Sequence, residues 1–241
     1  MHTRIIRFAK PNHIATVHTN KTIYMDLPTK SRDVVAVKAD GIRLVSPYEC
    51  PYLARKAYDD RPKINDEAFM NADLCPSLAT LSKQLAKRLP AKHQDSIYAT
   101  AWMLTIPLYD IVDNAIDLRL IGTDETKVKL MRKLVDHFIA DSFIFSDGAK
   151  SEAAVTHQHV DIECGSDGSK ATKKVPSSFP SMKLRIAYFD AQAMLAYHIM
   201  RMIEDKKSKT GYHDGDRYHI EHHEVIEIIS KHLEDATTTT Q

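Results

Sequence analysis

The sequence predicts an α+β protein: a small N-terminal antiparallel β module followed by a mainly α-helical body. Three observations carry that expectation. Residues 1–46 hold short apolar runs separated by turn residues, the pattern of strands. From about Asp66 onward the apolar residues recur at helical spacing instead. Between residues 97 and 109 lies an uncharged, largely apolar run that contains the only tryptophan, Trp102. Such a run is shorter than the roughly 20 residues that a membrane-spanning helix needs, so it reads as core.

The strands are expected in order. Ile5, Ile6 and Phe8 form one, Ile14, Ala15 and Val17 a second, and residues 23–27 a third. Residues 34–38 and 42–45 flank Ala39-Asp40-Gly41, and Asp-Gly favours a tight hairpin because glycine accepts positive φ. Pro47, Pro51 and Pro62 mark a connector, which divides the chain into a β-rich module at 1–60 and a helical domain at 61–241. Pro76, Leu78, Leu81, Leu85 and Leu89 then outline an amphipathic helix.

The stretch 97–121 is expected to be a buried central helix, bent at Pro107, which cannot donate a backbone hydrogen bond. Thr123-Asp124-Glu125 starts a further helix, expected to reach about Phe145. Residues 146–182, rich in Gly, Pro, Ser and Lys, read as a long polar loop with one alternating run at 155–163. Two helices, at about 182–206 and 217–235, close the chain.

Net charge is +1, from 33 basic and 32 acidic residues, which excludes a polycation but not a local basic face. The first 45 residues carry eight Lys/Arg against three acids, and Arg4, Arg7, Lys10, Lys30, Arg32, Lys38 and Arg43 are the candidate nucleic-acid-binding residues. Three separated cysteines without a CxxC pair suit reduced thiols. The opening MHTRIIRFAKPNH has no apolar signal core, so a cytoplasmic, non-secreted protein is expected.

Lys38-Ala39-Asp40-Gly41-Ile42-Arg43 resembles the KxDGxR motif of the covalent nucleotidyltransferases, the ATP-dependent ligases and mRNA capping enzymes. The resemblance implies that Lys38 attacks the α-phosphate of a nucleotide and carries it as a phosphoramidate, with Asp40 and Arg43 in the same site. That chemistry needs a lysine of lowered pKa and a metal ion to neutralise phosphate. The match spans six residues, and the helical pattern of 66–145 departs from the β-structure with which that family continues. A charged hairpin with an Asp-Gly turn accounts for the same residues.

Two further constellations could hold metal. Asp110, Asp113 and Asp117 are spaced i, i+3 and i+7, so on a helix they would share a side suited to Mg²⁺. Near the C-terminus, Asp216, His219 and His223 fall one helical turn apart within a His/Asp/Glu-rich stretch at 213–227, a candidate site for one divalent transition metal. His157, His159 and Asp161 would share one strand face and form a weaker version. The ordinary reading of each is a solvated polar face.

On balance the sequence leans away from an enzyme. The expected function is that of a non-catalytic assembly component without a cofactor, binding a protein partner or a second copy. Nucleic acid is the further candidate partner, through the basic β module and the polar loop, and no membrane is expected. The alternatives are a metal-dependent phosphohydrolase built on the cluster at 213–227 and a nucleotidyltransferase-like protein centred on Lys38.

Overall fold

A computed structural model of the chain describes residues 2–8, 14–17, 22–25, 33–49, 78–82, 93–105, 108, 111–139, 143–147, 159–164, 182–210 and 220–238. The fold is α+β, with a small antiparallel N-terminal sheet followed by a mainly helical body. The elements are β1 (His2–Phe8), β2 (Ile14–Val17), β3 (Ile23–Met25), β4 (Val34–Lys38), β5 (Gly41–Val45), α1 (His93–Thr105), β6 (Asp117–Gly122), α2 (Glu125–Ile139), β7 (Phe143–Asp147), β8 (His159–Cys164), α3 (Met182–Thr210) and α4 (His222–Thr238).

The small sheet has the order β2-β3-β4-β5. Its register lines up Ile23, Val37 and Ile42 in one row and Met25, Val35 and Leu44 in the next. Side chains alternate across a strand, so both rows point to one side, and all six residues belong to or pack against the apolar core. That side rests against α3. The opposite side carries Tyr24, Ala36 and Arg43 in one row and Lys38 beside Gly41 at the hairpin end. The expected hairpin is present, with Ala39 and Asp40 as the turn and Gly41 already paired as the first residue of β5.

β1 does not join that sheet. It lies in a second one of order β7-β1-β6-β8, antiparallel to β6 and to β7, while β6 and β8 run parallel. The strand pattern read in residues 2–8 is therefore correct, but the partners of β1 come from the body. One face of this sheet is apolar through Leu118, Leu120, Ile162 and Cys164, all buried, and α2 packs against β6, β1 and β8. The backbone N–H of Glu163, in β8, donates to Asp95 Oδ2 at 3.1 Å, so the first turn of α1 satisfies a group on that strand.

The central stretch behaves as a core but not as one bent helix. Ile97, Ala99, Ala101, Trp102, Met103 and Leu104 are buried along α1, a helix apolar on nearly every side because it is covered on nearly every side. α1 ends at Thr105, ahead of Pro107, and residues 117–122 form β6. Proline stops the helix, and Asp117-Leu118-Arg119-Leu120 alternates with the period of two that a strand requires. Ile111, Val112, Ala115, Ile116, Leu118 and Leu120 satisfy helical spacing as well, which is why the two periods compete there.

Two other expectations change. α2 stops at Ile139, and Phe143–Asp147 is a strand, since two aromatic residues and an isoleucine within five fit a pleated surface better than a helix end. The polar segment 146–182 contributes the end of β7 and all of β8, the latter overlapping the alternating run at 155–163 and ending one residue beyond it. The closing helices are present, with α3 extended to Thr210 and α4 beginning at His222 rather than at 217. Residues 78–82 are helical, with Leu78 and Leu81 buried, as the leucine spacing there implies. No helix among the described residues is long and apolar enough to cross a membrane.

Candidate functional site

The sequence candidates distribute over three places. On the small sheet, Lys38 and Arg43 are exposed and share the side turned away from α3, with half-buried Tyr24 in the same row as Arg43. Arg43 Nη2 donates to Asp40 Oδ2 at 3.2 Å, and both side chains are 64% exposed. Such an exposed pair is weak, contributing about 0–1 kcal/mol, so a polyanion can compete for the guanidinium. Lys38, Asp40 and Arg43 thus sit together on a solvent-facing hairpin, as their sequence proximity requires.

Arg4 and Arg7 belong to the other sheet. Arg4 pairs with Leu120 and Asp147, and Arg7 with Ile144, so the two arginines occupy alternate faces of β1. They belong to a different sheet from Lys38 and Arg43. Lys10, Lys30 and Arg32 lie outside the described residues.

The acidic series is dispersed. Asp110 lies outside the described residues, Asp113 sits in an isolated parallel bridge with Glu221, and Asp117 is a buried residue of β6. The spacing i, i+3, i+7 aligns carboxylates only on a helix, and this segment is not one. Asp161 shares a strand face with His159 as read, but it is engaged by Arg119, whose Nε donates to Asp161 Oδ1 at 2.7 Å and whose Nη2 donates to Oδ2. That two-point pairing raises the Arg119 pKa. His157 lies outside the described residues.

At the C-terminal cluster, Asp216 and His219 lie outside the described residues, and His223 is exposed with Nδ1 4.0 Å from Glu221 Oε2. Among the described residues no three His, Cys, Asp or Glu side chains converge as a metal set. Beside His223 stands His222, which the sequence did not single out. His222 is fully buried; its Nδ1 accepts the Ile116 N–H at 2.8 Å, and its Nε2 lies 2.6 Å from Thr105 Oγ1.

The Thr105 hydroxyl donates its single proton to Trp102 O at 2.7 Å, so it accepts from His222 Nε2–H. Both ring nitrogens are then committed, which specifies the neutral Nε2–H tautomer. Burial, helped by His223, pushes the His222 pKa down to about 4.

This knot is extended by the backbone. Asp113 N–H donates to Ile220 O at 2.8 Å, and His222 N–H donates to Asp113 O at 3.0 Å. Asn114 takes a left-handed φ of 50°, which an asparagine tolerates, and its Nδ2 donates to both carboxylate oxygens of Glu221 at 2.8 and 3.1 Å. Trp102 Nε1–H donates to Ile116 O at 2.7 Å. The cluster ties α1, the chain before β6 and the start of α4 into one junction, buried at His222, Thr105 and Trp102, and both ring nitrogens of His222 are spent on holding it.

A cavity of about 240 Å³ opens between α3 and α4, lined by Ile199, Met202, Val225 and Ile229 with His198 and His232. It is apolar in character, and two of its lining residues, Ile220 and Val225, neighbour His219 and His223 in sequence. Compared with known proteins, the chain matches no family model, no curated protein and no solved structure.

Proposed function

We propose that this protein is a non-catalytic component of a macromolecular assembly that engages nucleic acid through the outward side of the small sheet and also binds a protein partner. The supporting observation is the division of labour across that sheet. One side packs on α3; the other buries Val34 and Ala36 but presents exposed Lys38 and Arg43, with Tyr24 half-buried beside them. Cationic side chains neutralise phosphates, and an aromatic ring gives a base a face to stack on without reading its identity. The lysines of the polar loop, Lys170, Lys173 and Lys174, lie outside the described residues and support this reading by charge alone. A cytoplasmic location fits it, since well-separated thiols stay reduced there.

Fluorescence anisotropy with a 20-nucleotide single strand, titrated at several salt concentrations, tests the reading. Binding should weaken steeply with salt, and Lys38→Ala and Arg43→Ala should each lower the log–log slope by about 0.7. Tyr24→Ala should weaken binding by about 1–3 kcal/mol. No binding at low salt would remove the nucleic-acid reading and leave the protein partner, sought first as a light-scattering mass above 27.3 kDa.

A further inference from the structure

α3 is buried on every side from Ala187 to Ala196, and Asp190 lies inside that stretch at 7% exposure. Its Oδ1 has no hydrogen-bond partner among the described residues. Tyr188, two residues earlier, reaches across to donate its hydroxyl to Met103 O of α1 at 2.7 Å. Two residues subtend about 200° on a helix, so Asp190 projects from the side of α3 turned away from α1. The small sheet also packs on α3, with Ile23, Met25, Val35, Val37, Ile42 and Leu44 facing the core. We propose that the Asp190 carboxyl is a proton-controlled latch between α3 and the small sheet: neutral, it is accommodated in the apolar seam; ionised, it releases its proton to solvent and loosens the seam.

Among the described residues no charge offsets this burial. The sheet side that faces α3 has no titratable residue, and Lys38, Asp40 and Arg43 are on the other side. Along α3 itself the groups in helical register with Asp190 are Lys183, two turns before it, and Tyr197 and Arg201, two and three turns after it, with the Arg201 guanidinium 5.9 Å from the centroid of the Tyr197 ring. On α1, Asp95 is engaged by the Glu163 N–H and Tyr98 is half-buried, and both belong to the opposite flank. Burial alone pushes the Asp190 carboxyl up to about 7, because an unpaired carboxylate in an apolar seam is far costlier than a neutral acid.

An acid whose folded pKa is raised stabilises the fold below its unfolded pKa, and that contribution is lost as pH rises through the folded value. The carboxyl ¹³C resonance of Asp190 should therefore titrate near neutrality. Hydrogen exchange at the Val35 and Val37 amides, corrected for intrinsic rate, should show an opening constant that grows by up to about tenfold per pH unit between pH 4 and 7. Asp190→Asn should abolish that growth. A carboxyl midpoint near 4 overturns the latch, as does an unchanged exchange profile in the Asn variant. Should that variant not fold, the wild-type protein decides: a near-neutral midpoint with sheet amides losing protection over the same interval upholds the latch, and a near-neutral midpoint with constant protection overturns it.

Discussion

His222 Nε2 and Thr105 Oγ1 lie 2.6 Å apart inside the protein, where the start of α4 meets the end of α1. Replacing His222 with Ala would strand the Ile116 N–H and leave a cavity the size of an imidazole. A loss of roughly 3–5 kcal/mol of stability is expected in urea unfolding. His222→Gln, which can reach only one of the two partners, should recover part of that loss.

The same histidine sets an acid limit. Its folded pKa, about 4, lies below the ordinary value of 6.5. The stability it contributes is fully present above pH 6.5 and is lost as pH falls through 4, because protonation of Nδ1 removes the acceptor for Ile116 N–H. Asp190 acts with the opposite sign over much of the same interval. Unfolding free energies measured from pH 4 to 8 should show a steeper acid loss in Asp190→Asn than in the wild-type protein.

Trp102 is a further support of this junction. Trp102→Phe retains an aromatic ring in the core but removes the donor to Ile116 O. A cost of about 1–3 kcal/mol follows from the stranded carbonyl and the lost ring volume. Urea unfolding followed by circular dichroism measures it without relying on tryptophan emission.

Gly122 ends β6 where β8 and α2 close in. A Cβ there would lie 2.9 Å from Val128 Cγ2 and 3.0 Å from the backbone oxygen of Cys164. The valine can shift, but the paired strand cannot. Gly122→Ala should lower stability by about 1–3 kcal/mol, and Gly122→Ala/Val128→Ala should recover only the part due to the side chain.

Cys164 should be a poor nucleophile. Burial, reinforced by Asp95 and opposed by Lys127, pushes its thiol up to about 12. Iodoacetamide at pH 8 should modify it only at the rate of protein opening. Rapid labelling of Cys164 in the folded protein, located by peptide mass, would contradict the burial.

Much of the fold is legible in local pattern. The alternating runs that became β3, β4 and β5, the Asp-Gly turn, the leucines at 78–82 and the amphipathic spacing of α2 and α4 each encode their own conformation within a few residues. Where two periods fit the same letters, as between Ile111 and Leu120, local pattern gives no answer. The strand there is decided by β1 and β8, which pair on either side of β6 and come from distant parts of the chain. The candidate site follows the same rule. Lys38, Asp40 and Arg43 are neighbours because one hairpin makes them so, whereas Arg4 and Arg7 were legible as basic residues but not as members of another sheet.

The amino-acid sequence by itself determined where the chain turns, which residues are apolar enough to be core and the α+β class. Only the tertiary structure decided that His222, rather than its exposed neighbour His223, is buried with both ring nitrogens engaged. It alone decided that Asp190 lies in an apolar seam and that β1 leaves the small sheet. The reason is physical: helical and strand periods are short-range properties of neighbouring residues, while burial, hydrogen-bond partners and the pKa shifts they produce depend on groups brought together from far along the chain.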